Sequence, residues 1–131
     1  MERVIKSDIE IDEVKSNIKS WIYRMNQNEE FSSDIIVLNY GLQLVDEQFE
    51  IYLSGHDWYD ESDIWLLDEK FTPEENYFGL GNSSLKMNRK EMFELYKNEI
   101  KQQIELGNLK LSNTIKVVTV SYSDGKPERI R

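Results

Sequence analysis

From Ser7 onward the apolar residues Ile11, Val14, Ile18, Trp21, Ile22 and Met25 recur at spacings of three and four. That period lays them on one stripe of an α-helix of about five turns, ending near Asn26 to Asn28. Ser7 or Asp8 is placed to cap its free amides, and the acids Asp8, Glu10, Asp12 and Glu13 suit the positive end of the helix dipole. The pattern then changes. Asp34 to Leu44 is rich in aliphatic and β-branched residues, and Gln48 to Leu53 sets Phe49, Ile51 and Leu53 against polar alternates, so two strands are predicted. Val45-Asp46-Glu47 between them has hairpin length, and Gly41 marks a bulge or a close backbone approach.

A polar and aromatic loop from His56 to Asp63 leads into Ile64-Trp65-Leu66-Leu67, short and apolar enough for a third strand. Thr72-Pro73-Glu74-Glu75 reads as a turn or helix start, and the glycines of Tyr77-Phe78-Gly79-Leu80-Gly81 argue for loop. Asn88 with Glu91 three residues later forms a capping-box signature before Met92, Phe93, Tyr96, Ile100 and Ile104, and Gly107-Asn108 stops this second helix. Thr114 to Tyr122 alternates as a last strand, closed by Ser123-Asp124-Gly125. The expected fold is a single α+β domain over residues 1–131, of order α-β-β-β-α-β. Its antiparallel sheet has about four strands, with both helices packed on one face.

Composition narrows the chemistry. The chain has no cysteine and one histidine, His56, so thiol nucleophiles, zinc ribbons and multi-histidine metal sites cannot be assembled from one copy. A net charge of −9 repels phosphate backbones and disfavours nucleic acid as a direct ligand. The N-terminus carries no apolar run of signal-peptide length and no stretch reads as a membrane span, which makes the cytoplasm the default compartment.

The charge is concentrated. Residues 46–75 hold 11 acids against the single base Lys70, together with six of the chain's 15 aromatics. Asp57, Trp58, Tyr59, Asp60, Glu61 and Asp63 stand at the centre of this block and form the candidate partner-binding surface. Carboxylates steer a basic partner and aromatic rings can supply desolvated anchors. The alternative is a solvated loop whose rings turn inward. The same acids lack the alternation and glycine of a calcium loop, so no metal is expected. Gly79-Leu80-Gly81-Asn82-Ser83-Ser84 lacks the Gly-Lys-Ser/Thr ending of a phosphate loop, and no cofactor is expected either. His56 beside Asp57 has no evident nucleophile partner and reads as a solvated loop residue, so no catalytic residue is assigned.

Asn39-Tyr40-Gly41-Leu42, Phe49 to Gly55, Trp58-Tyr59-Asp60-Glu61, Trp65 and the closing Val118 to Gly125 together resemble small bacterial immunity proteins of polymorphic or contact-dependent toxin systems. The resemblance implies a non-enzymatic cytoplasmic binder that occludes the active site of a cognate toxin. A nuclease toxin would carry the basic cleft that an acidic surface fits. Two other classes compete with it. One is a carboxylate-based hydrolase working from the acids between Asp57 and Asp68; the other is a structural or oligomer-forming domain.

Overall fold

The computed structural model describes residues 8–28, 31–74, 76–81, 87–109 and 115–131. In chain order the elements are α1 (Asp8–Asn28), β1 (Val37–Val45), β2 (Gln48–His56), a 3₁₀ turn (Ile64–Leu67), β3 (Phe78–Gly79), α2 (Arg89–Glu105), β4 (Val117–Tyr122) and β5 (Glu128–Arg129). The fold is α+β. Ser7, Glu75, Asn82 to Ser84 and Thr114, to which the sequence assigned parts of caps, turns and strands, lie outside the described residues.

Both helices form where the periodicity places them. The α2 cap is the reciprocal one expected: the Asn88 side chain accepts from the Glu91 amide, and the Glu91 carboxylate accepts from the Asn88 amide. At the other end Gly107 takes a positive φ of 76°, where a side chain would be strained. Val14, Ile18, Trp21 and Ile22 of α1, with Met92, Tyr96 and Ile100 of α2, pack on one sheet face built from Leu38, Tyr40, Leu42, Ile51, Leu53, Val118 and Val120. The α2 stripe also buries two polar residues that periodicity passed over. Glu99 accepts from the Gln103 amide at 2.8 Å, and Gln103 in turn accepts from Asn108 at 2.8 Å. A buried polar group is tolerated when it is paired in this way.

The β1–β2 hairpin turns on two residues, since Val45 pairs with Gln48. Asp46 and Glu47 both adopt positive φ, 51° and 64°, the handedness whose twist matches the flanking strands. Gly41 lies in unbroken register opposite Tyr52, whose ring covers it so closely that any Cβ would collide. It is a close approach, without a bulge.

Three expectations about the sheet are corrected. Ile64–Leu67 is a 3₁₀ turn with only Trp65 buried, because a four-residue apolar run looks alike in either state and the acids around it favour a turn. The third strand is instead Phe78–Gly79, in the stretch read as loop, and a fifth, Glu128–Arg129, follows the Ser123–Gly125 turn. The sheet, of order β3-β2-β1-β4-β5, is mixed, because β4 runs parallel to β1 while the other pairs are antiparallel. The physical cause is α2, which carries the chain from β3 across the helical face to β4. A connection of that length permits a parallel return that a hairpin cannot make.

Candidate functional site

The face of the sheet away from the helices carries Val37, Asn39 and Gly41 of β1, Ser54 and His56 of β2, and Val117, Thr119 and Ser121 of β4. Its middle is a buried polar row. The Asn39 amide donates to Ser121 Oγ at 3.1 Å, while its oxygen accepts from Thr119 Oγ1 at 2.8 Å. Over one end of this face lies the segment from Asp57 to Phe71, so the acidic stretch rests on a second, smaller core in which Trp65 packs with Val37 and Val117.

His56 is a structural centre of this arrangement. It is fully buried at the end of β2, correcting the expectation of a solvated loop histidine, and its ring meets Trp65 edge-on at 4.9 Å. Its Nδ1 lies 3.1 Å from the Asp68 carbonyl, which can only accept, so the proton is assigned to Nδ1. Nε2 is then the acceptor for the Ser54 hydroxyl at 2.8 Å. A serine on an imidazole is also the pair that activates nucleophiles. Here Ser54 is 2 % exposed and the chain of bonds ends on a main-chain carbonyl, so it ties the loop to the sheet.

Further bonds fix the loop from within. Trp58 Nε1 donates to Asp68 Oδ2 at 2.9 Å, and Lys70 Nζ lies 3.3 Å from Asp68 Oδ1; these two partners hold the Asp68 carboxyl below its ordinary range. Asp60 Oδ1 accepts from both the amide and the hydroxyl of Ser62, an Asx turn that leads into Asp63 in the left-handed region. The end of the chain clasps the same loop. Lys126 Nζ lies 3.8 Å from Asp63 and the Arg129 guanidinium sits 5.6 Å from the Tyr59 ring centre.

The six candidate residues therefore share one loop but divide in role. Asp57, Asp60 and Glu61 are exposed, and Asp57 and Glu61 make no ion pair among the described residues. Asp63 is partly covered and paired with Lys126. Trp58 and Tyr59 are half-buried against the small core, so their rings serve the loop's own packing and are not free anchors. The exposed apolar groups are instead Ile64 at 59 % and Leu67 at 86 %. In a 3₁₀ turn residues three apart eclipse, so both side chains occupy one outward face while Trp65 points inward. The signal for them is the i, i+3 spacing of Ile64 and Leu67, which a strand, with its period of two, does not display.

The burial that holds His56 makes the loop pH-sensitive. Desolvation pushes the imidazole below its ordinary 6.5, against smaller opposing contributions from the Asp68 carbonyl and the Glu69 and Asp68 carboxylates. The unfolded chain thus takes up a proton near pH 6.5 that the folded chain refuses, and stability falls as pH drops through that value. Denaturant titrations between pH 8 and pH 5 are expected to show this decline in the wild type and a flatter profile in His56→Gln. Equal slopes would place the acid sensitivity elsewhere. Asp68 acts in a lower window, its contribution being lost only as pH falls below its ordinary carboxylate range.

Among the described residues no group of three or more metal-ligating side chains converges, and no helix is long and apolar enough to cross a membrane. No family model, curated protein or solved structure matches the chain.

Proposed function

We propose that this is a non-enzymatic binding protein that captures a basic partner on the loop from Asp57 to Glu69, in the manner of an immunity protein occluding the active-site cleft of a cognate toxin. The observation that carries this reading is the loop's rigid display. Exposed carboxylates at Asp57 and Glu61 and exposed aliphatic groups at Ile64 and Leu67 stand on a segment pinned from beneath by Trp65, His56 and Asp68. A pre-ordered surface loses little conformational entropy on binding, so more of its contact energy appears as affinity. The carboxylates accelerate encounter, and Leu67 supplies a desolvated contact that slows escape.

The test uses the purified product of the neighbouring gene, or a basic nuclease toxin domain, as the partner in stopped-flow and calorimetric titrations. With Asp57→Asn, Asp60→Asn and Glu61→Gln combined, association is expected to slow by tenfold or more at low ionic strength and to lose most of its salt dependence. Leu67→Ala is expected to act mainly on dissociation. A partner that binds both variants as tightly and as quickly as wild type places the interface on another face.

A further inference from the structure

The acidic loop borders a groove of opposite character. Arg89, Lys90 and Lys126 rim an apolar hollow of about 520 Å³ walled by Phe93 and Tyr122. The acid lining it, Glu128, is held by Lys97 at 3.0 Å, and Arg89 stacks over the Tyr122 ring at 3.7 Å while pairing with Asp124. Lys90 is exposed and makes no ion pair among the described residues. Loop and groove share a boundary. Leu67 lines a smaller hollow together with Tyr122 and Gly125, and those two residues also line the basic groove, while Asp63 and Lys126 bridge the seam.

We infer that this combined surface is self-complementary and pairs two copies of the chain across a two-fold axis, each placing Ile64 and Leu67 in the other's groove. A two-fold interface requires the same patch on both partners to contain both halves of the contact, side by side. Here an apolar projection, Ile64 and Leu67, on the loop that carries the exposed acids Asp57, Asp60 and Glu61 adjoins an apolar hollow lined by Arg89, Lys90 and Lys126, of which Lys90 makes no ion pair among the described residues. Charge complementarity selects the groove of a second copy as the occupant. The pairing occupies the same loop face as the basic-partner reading, so the two occupants exclude each other, and the pairing is tested without any partner.

Because each chain carries a net charge of −9, salt both screens the repulsion between copies and weakens the local attraction, so salt alone does not discriminate. Charge exchange does. One variant carries Asp60→Lys and Glu61→Lys, a second carries Lys90→Glu and Lys126→Glu, and each opposes like charges at both contacts of a homodimer. Mixed together they restore opposite charges at both contacts. Sedimentation velocity at 100 μM, a concentration about 100-fold above a micromolar dissociation constant, is expected to show a dimer for wild type, monomers for each variant alone and for Leu67→Asp, and a 1:1 dimer for the mixture. Circular dichroism checks that each variant is folded. A monomeric wild type overturns the pairing. So does a dimer that survives Leu67→Asp and both charge variants, or growth into larger assemblies, which would mean a contact that does not close on itself.

Discussion

Replacing Trp65 with alanine is expected to cost about 3 to 5 kcal/mol, the range for truncating a fully buried tryptophan. The consequence should be local in structure. Trp65 is the only fully buried side chain of the 3₁₀ turn and touches His56, Tyr59 and the Val37–Val117 pair, whereas α1 and α2 pack on the opposite face. Its removal deprives the loop of its support but leaves the principal core intact. Hydrogen exchange should therefore quicken for amides of residues 57–71 by several orders of magnitude while the paired centres of β1 and β4 remain slow. Under the proposed function, partner binding should weaken together with loop protection, although Trp65 itself never reaches the surface. A variant that keeps wild-type protection in the loop would show that the Asp68 bonds and the chain terminus suffice to hold it.

Ile18→Ala in α1 and Ile100→Ala in α2 are each expected to cost about 2 to 5 kcal/mol, because both side chains are fully buried between the helices and the sheet. These losses should be global. Exchange should accelerate across the whole sheet, and urea midpoints should fall with an unchanged slope, since the surface exposed on unfolding stays the same. The two substitutions also remove methylene groups from one core cluster, so their combination need not be additive. A melting curve unaltered by either one would contradict the assignment of the helical stripes.

The helices were legible because their signals are local and redundant. In α2 the Asn88–Glu91 box, the apolar period and the terminal Gly107 all agree. The hairpin was legible for the same reason, as Asp46 and Glu47 separate two alternating runs that are neighbours in sequence. Direction across the sheet was not legible, because the β1–β4 pairing joins residues some 80 positions apart and its sense depends on how α2 crosses the sheet. The charge pattern located the acidic loop but could not show which of its apolar side chains turn inward. Trp58, Tyr59 and Trp65 pack beneath it because aromatic rings bury the most area, and this leaves the smaller Ile64 and Leu67 outside.

Asn39 gives the folding reaction a means of proof-reading. The β1–β2 hairpin joins neighbours in sequence and can close early, but the other margin of β1, with its row of free amides and carbonyls, must wait for residues 117–122. When β4 arrives, sliding it by one position would turn its valines toward Asn39 and strand a buried amide without partners. Only the native alignment offers both Thr119 and Ser121 to that side chain. One polar residue in the middle of the sheet thereby disfavours the misaligned pairings.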